Sequence, residues 1–216
     1  MNLGTKRSVT VIAGLSGYGK NTFALRYLVN AELSARFIFD PDPGEGNPDV
    51  GEFSDRLQLQ PTVTPYELSL HLVRGWVVFD PHALFTGKPA EALNFFCDWA
   101  YEKSLALPGE KALVVDEVWK YCNSQTIPAG VRNVALSGRK PRLQLYVLTQ
   151  EPNKLNSTFQ GAMSECVCFR LQGEKQLRFA ADFGFNPDEV ANLDPLHFVA
   201  RNLDTRGELR GKIPFL

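Results

Sequence analysis

The residues best suited to do chemistry stand near the start of the chain, in AGLSGYGKNTF, residues 13–23. Gly14, Gly19 and Lys20 match the spacing Gly-x-x-x-x-Gly-Lys of a phosphate-binding loop. Gly17 and Gly19 let the backbone curl so that successive N–H groups point inward at phosphate oxygens. A helix starting near Lys20 adds the positive end of its dipole, and Lys20 itself would reach the β- and γ-phosphates. Gly14, Leu15, Ser16, Gly17, Tyr18, Gly19, Lys20, Asn21 and Thr22 are therefore expected to bind ATP with Mg²⁺. One position departs from the pattern. A Ser or Thr hydroxyl should follow the lysine and ligate the metal, but here Asn21 follows, and Thr22 comes one residue late. Thr22 lies about 100° further round a helix and should point elsewhere. Three readings stay open: the Asn21 carbonyl is a substitute ligand, metal binding is weakened, or the position carries a natural or engineered lesion.

A second element should supply a carboxylate to the metal. ALVVDE, residues 112–117, is an apolar run ending in acids. Asp116 is the metal-side carboxylate. Glu117, directly after it, can orient and deprotonate an attacking water, which favours hydrolysis over transfer to a small acceptor. A further apolar run, LQLYVLT (Leu143–Thr149), ends at Gln150. Gln150 can both donate and accept, which suits contact with a γ-phosphate and water together. Between Val118 and Gln150 there is no acid, while Lys120, Arg132, Arg139, Lys140 and Arg142 give an excess of +5. That stretch is either a solvated helix and turn, a contact to nucleic-acid phosphates, or the source of an arginine for a neighbouring subunit's site.

These residues need strands and helices to place them. Val9–Ala13 reads as a buried strand before the loop, and Phe23, Tyr27 and nearby leucines recur at helical spacing after it. Strand, glycine-rich turn, helix is the order the loop requires. RFIFDPDP and WVVFDPH are further strands, each ending in Asp-Pro, where proline leaves the sheet ladder. Their acids, Asp40 and Asp80, are read as caps of the following turn. Asp40–Asp55 reads as an ordered loop. Ala90–Leu105 reads as an amphipathic helix with Leu93, Phe96, Ala100 and Tyr101 toward the core. Cys166 and Cys168 sit at strand spacing on one face. The stretch HFVARNLDTRGELRGKI reads as a hairpin turning near Asp204–Gly207.

The 216 residues suit a single domain, 1–216, with a real core. With 44% hydrophobic and 22% charged residues and a net charge of −1, nothing points to bulk attraction to nucleic acid or anionic membrane, so such binding needs a local patch. The four cysteines and three histidines form no zinc-ligand spacing and read as reduced thiols in apolar surroundings. No run approaches the roughly 18 apolar residues of a membrane span, and no signal peptide is visible.

GLSGYGKNT, ALVVDEVWKYC, ALSGRKPRLQLYVLTQEPNKLN and LHFVARNLDTRGELRGKI together resemble the FtsK–HerA superfamily of DNA-pumping ATPases. They are most similar to its compact viral branch, the genome-packaging ATPases of tailless, membrane-containing phages. The Gly-Arg-Lys, strand, Thr-Gln-x-Pro succession is the most specific part, and residues 40–110 contribute little. The resemblance implies an α/β fold: a RecA-like P-loop NTPase core with a central, mainly parallel sheet flanked by helices. It implies ATP and Mg²⁺ as cofactors and double-stranded DNA as partner. It also implies a homo-oligomeric ring, a hexamer, with a capsid or membrane vertex protein as a further partner, in the host cytoplasm or on the virion. Carried over, Lys20 binds phosphate, Asp116 binds Mg²⁺, Glu117 activates water and Gln150 senses the γ-phosphate; Asn21, at the metal-ligand position, departs from the family's Ser or Thr. Arg139 is the choice for the arginine acting in trans, with Arg132 and Arg142 as alternates. Other readings are a filamentous-phage assembly ATPase of the zonula occludens toxin type, a nucleotide-binding assembly or regulatory protein that scarcely hydrolyses, and a small-molecule kinase. Asp116-Glu117 disfavours the kinase.

Overall fold

VTVIA, Val9–Ala13, shows no alternation of apolar and polar residues, and as strand β1 it is buried along its whole length. A strand covered on both faces belongs in the middle of a sheet. The structure, a computed structural model, describes residues 8–42 and 51–214. After β1 the chain forms α1 (Lys20–Asn30), β2 (Ala35–Phe39), α2 (Glu52–Leu57), α3 (Pro65–Leu72) and β3 (Trp76–Phe79). It continues through α4 (Pro89–Ala106), β4 (Lys111–Val115), α5 (Ala129–Ser137), β5 (Leu143–Thr149) and α6 (Ser157–Ala162). It ends with β6 (Met163–Cys168), α7 (Glu174–Asp182), α8 (Pro187–Ala191), β7 (His197–Asn202) and β8 (Glu208–Lys212).

Among the described residues, eight strands form one sheet in the order β3-β2-β4-β5-β1-β6-β7-β8. The run from β3 to β6 is parallel. β7 and β8 add the antiparallel hairpin, with His197 opposite Lys212 and Arg201 opposite Glu208. β5 lies between β1 and β4, with Val147 opposite both Val11 and Val115. The carboxyl ends of β1, β4 and β5 therefore open side by side on one edge. In a parallel sheet, that edge is where ligands bind.

Side chains alternate between two cores. Val11, Phe37, Phe39, Leu113 and Val147 face the layer of α4, α5, α6 and α7. Ile12, Ile38, Val114 and Leu148 face α1, with Phe53 of α2 and Ile213 after the hairpin. Leu93, Phe96, Ala100 and Tyr101 of α4 are all buried. Arg36 on β2 donates to the carbonyl of Leu28 in the last turn of α1 and to those of Ala31 and Leu33 just after it, and stacks over Trp76. It supplies the C-terminal cation that α1 lacks in its own last turn. The four cysteines are free and buried, and Cys166 and Cys168 share one face with their sulfurs 3.9 Å apart. Among the described residues, no helix is long and apolar enough to cross a membrane.

The acidic segment Asp40–Asp55 is not loop throughout. Residues 43–50 lie outside the described residues, but α2 begins at Glu52. The reason is a cap from a distance: the Asp40 carboxylate accepts from the N–H groups of Phe53 (2.9 Å) and Ser54 (2.8 Å) and from the Ser54 hydroxyl (2.9 Å). Buried Phe53 then anchors the helix to the sheet. Asp80 caps locally, accepting from the N–H of His82 at 2.9 Å.

Candidate functional site

The loop between β1 and α1 is pinned at its entrance by two backbone bonds. The N–H of Gly14 donates to Thr149 O (3.1 Å) and that of Leu15 to Arg170 O (2.9 Å). Gly14 must be bare, because a Cβ there would sit 2.6 Å from Phe169 Cβ. Gly17 and Gly19 have φ of +74° and +109°, the left-handed backbone that bends N–H groups into a cradle. No acid of α1 itself occupies its first turn.

Lys20 is 6% exposed. Its ammonium donates to Leu15 O at 3.3 Å and lies 4.0 Å from Glu117 Oε1. Burial lowers its pKa, and Glu117, Asp116 and Glu52 work against that shift. Asp116 follows the end of β4, with Oδ1 accepting the Glu117 N–H at 2.8 Å. Burial and then the adjacent Glu117 push its pKa up to about 7. Asn21 donates from one nitrogen to two carboxylates: Nδ2 is 2.9 Å from Asp116 Oδ2 and 2.8 Å from Glu52 Oε1. Thr22 turns aside, as the helical angle predicts, and its hydroxyl accepts from Arg56 Nη2 at 2.8 Å.

Glu117 sits at φ +42°, an unusual conformation for a residue with a side chain. Its carboxylate is held by neighbours on both sides. Oε1 accepts from Gln150 Nε2 at 2.6 Å. Oε2 accepts from Trp119 Nε1 at 2.5 Å and from the Gln150 N–H at 3.2 Å. Lys154 caps the Trp119 ring at 4.6 Å. Lys20, Asn21, Asp116, Glu117 and Gln150 thus line one cleft of about 680 Å³, together with Ser16, Gly17, Gly19 and Thr22 of the loop.

Arg139 is not in this cleft. It lies exposed in the turn between α5 and β5, at the amino end of the strands. That turn is braced by Lys111, whose buried ammonium donates to Pro141 O (2.7 Å), Leu107 O (2.6 Å) and Ser104 O (3.1 Å). Arg142 shares the turn and faces Glu110 at 4.0 Å, while Arg132 is exposed on α5. Two further cations are locally paired: Lys120 with Asp42 at 2.9 Å and Arg210 with Glu189 and Glu208.

Sequence reading passed over Glu52, Arg56 and Trp119. Glu52 and Arg56 carry an i,i+4 acid–base signal, but Glu52 lay in the segment Asp40–Asp55 read as loop and Arg56 just after it. Trp119 stands two residues after Glu117, and nothing in its type foretold that its N–H would turn back to the carboxylate.

The residues fit a nucleoside triphosphate with Mg²⁺. The loop carries left-handed glycines and the buried Lys20 ammonium, and Asp116, Glu52 and the Asn21 carbonyl are the hard oxygen donors that such an ion takes. Among the described residues no three His, Cys, Asp or Glu side chains gather as an all-protein metal site. Mg²⁺ at phosphates does not need one, since it keeps waters and uses one or two carboxylates.

No family model matches the sequence, and no curated protein matches it. Solved structures do. The genome-packaging NTPase B204 of Sulfolobus turreted icosahedral virus 2, in complex with AMP, aligns with a TM-score of 0.73 at 18% identity, over 98% of this chain and 100% of that one. The fold is that of a P-loop NTPase. B204, the DNA-packaging ATPase from Sulfolobus turreted icosahedral virus, aligns with a TM-score of 0.67 at 15% identity, over 97% of this chain and 98% of that one. VirB4 of Thermoanaerobacter pseudethanolicus aligns with a TM-score of 0.63 at 15% identity, over 96% and 89%. The P-loop NTPase core, with its mainly parallel sheet and flanking helices, is the architecture that the sequence resemblance implied. At these identities the likeness is one of fold.

Proposed function

We propose that this chain is an ATP-hydrolysing motor that translocates double-stranded DNA, packaging it into a viral capsid. The observation that carries the reading is the meeting of Glu117 and Gln150 at 2.6 Å, on adjacent strand tips beside Lys20 and Asp116. A site built only to hold nucleotide has no use for a second carboxylate there. In this reading the loop N–H groups and Lys20 hold the phosphates. Asp116 and residue 21 hold Mg²⁺, which when bound neutralises charge developing on the phosphate oxygens. Glu117 accepts the proton of the attacking water. Gln150 can donate to a phosphate oxygen with its amide nitrogen while keeping Glu117 aligned.

The chain works as a ring, a hexamer, on DNA in the host cytoplasm or at the virion, against a capsid or membrane vertex protein. Arg139 stands at the far end of the sheet from its own cleft, so it can serve only a neighbour's site, which is the role assigned to it here. The similar structures support the reading because two are described as a genome-packaging NTPase and a DNA-packaging ATPase. A second reading, a nucleotide-binding regulator with little turnover, is favoured by one contact: Asn21 fills the Asp116 carboxylate with an N–H rather than offering an oxygen. ATPase turnover with and without double-stranded DNA decides. Stimulation by DNA is expected; tight ATP binding with no turnover in either condition would replace the motor by the regulator.

A further inference from the structure

Besides Asp116 and Glu117 at the end of β4, the cleft is lined by a carboxylate of α2, Glu52. Glu52 opens α2, yet its Oε1 and Asp116 Oδ2 lie 2.8 and 2.9 Å from the same Asn21 nitrogen. We propose that Glu52 is a cation-holding residue of this site, compensating for the hydroxyl that position 21 lacks. The inference rests on the nucleotide-site reading above.

Two carboxylate oxygens from unconnected elements do not converge without a positive or donor group between them. In the structure that group is the Asn21 N–H pair. With triphosphate in the cradle, position 21 is where a phosphate-bound cation meets the protein. Mg²⁺ demands ligands at about 2.0–2.1 Å in near-octahedral order. The Asn21 amide can offer it only one neutral oxygen, and only by turning over, which withdraws the N–H from both acids. Glu52 and Asp116 would hold a cation there, which would supply the positive charge that the withdrawn N–H no longer gives them.

Glu52 is placed for this by more than its own side chain. Three hydrogen bonds to the buried Asp40 carboxylate fix the start of α2. The chain passes so close that a Cβ on Gly51 would fall 2.1 Å from Asp40 Oδ2. Buried Phe53 locks the same turn into the core. Arg56, one turn on, steadies Glu52 at 3.3 Å and Thr22 at 2.8 Å. A plain i,i+4 surface pair would explain the Arg56 contact. It does not explain the shorter one to Asn21, which comes from another element.

The test uses the full chain, Mn²⁺ as a probe that takes the same oxygen ligands, and the non-hydrolysable analogue AMPPCP. Mn²⁺ affinity in the AMPPCP complex is read by electron paramagnetic resonance, and AMPPCP affinity in EDTA by calorimetry. Glu52→Gln is expected to lower Mn²⁺ affinity about tenfold or more, the scale on which residues around a metal act, and to leave AMPPCP affinity in EDTA undiminished. Asn21→Ser restores a hydroxyl, so in that background the Glu52→Gln loss should shrink to about twofold. If Glu52→Gln melts early, Glu52→Asp, which keeps the charge but draws the oxygens back, should give the same loss. Unchanged Mn²⁺ affinity, or an equal loss in both backgrounds, would overturn the inference while the nucleotide site stands. Failure of the unaltered chain to bind AMPPCP at all would bring down both.

Discussion

Glu117 and Gln150 face each other across the tips of β4 and β5, carboxylate Oε1 to amide Nε2 at 2.6 Å. With the Gln150 N–H and the Trp119 indole on the other oxygen, the carboxylate is oriented from two sides before any substrate arrives. An oriented base acts on water more than on substrate binding. Gln150→Ala should therefore lower kcat by about ten- to a hundredfold and leave KM for ATP almost unchanged, while Glu117→Gln should cost about 10²–10⁴-fold. Steady-state ATPase kinetics check this. A rise in KM at constant kcat would mean that Gln150 only binds nucleotide.

Lys20 makes a different prediction. Its ammonium is buried and ends at Leu15 O and beside Glu117. On the proposed function, Lys20→Ala removes a charged donor to phosphate, worth about 1.5–3 kcal/mol, and so should raise Kd for ATP about tenfold or more. It also leaves Asp116 and Glu117 facing each other without a cation. Calorimetry on both chains reads the change; equal affinities would remove the loop from the binding site.

Much of this was legible in advance where a residue's neighbours in sequence are also its partners in space. The glycine-rich loop is one continuous segment, and the β-branched run before it reads as an inner strand, which β1 is. Leu93, Phe96, Ala100 and Tyr101 announced the buried face of α4 by spacing alone. Glu52 was not legible, because α2 is capped by Asp40 across residues 43–50, and no local pattern encodes a cap from another element. Trp119 was hidden for a similar reason: its role depends on Glu117 adopting a left-handed φ, which sequence does not reveal for a glutamate. Arg139 could be chosen as a cation from its surroundings, but its position at the far end of β5 follows only from the topology.

Two loop glycines separate two kinds of cost. Gly17 has φ +74° with open space where a Cβ would go, so Gly17→Ala pays only for left-handed backbone, about 1–2 kcal/mol. Gly14 meets Phe169 Cβ at 2.6 Å, and that atom is fixed to the backbone and cannot turn aside. Gly14→Ala should cost toward the upper end of about 1–3 kcal/mol. With about 2–4 °C per kcal/mol at this chain length, Gly14→Ala should show the larger fall in thermal midpoint. The reverse order would show that the loop shifts away from Phe169 freely.

Asp40 should make stability depend on pH in a direction opposite to that of most carboxylates. Burial raises its pKa from the usual 3.8 to about 6, although the bonds from Phe53 and Ser54 pull the other way. The folded state therefore favours the neutral acid. The stabilisation linked to this group is complete below the unfolded value, and it is lost as pH rises through about 6. A shift of this size corresponds to about 2–3 kcal/mol. Asp40→Asn is neutral at every pH and still offers a carbonyl to the start of α2, though its amide nitrogen faces a donor and adds a constant penalty. Relative to the unaltered chain, the variant should gain about 2–3 kcal/mol between pH 4 and pH 7. Urea unfolding of both proteins across that range gives the difference, in which the other titrating groups cancel. A difference that stays flat with pH would mean that Asp40 is ionised in the fold throughout, and that its three donors outweigh its burial.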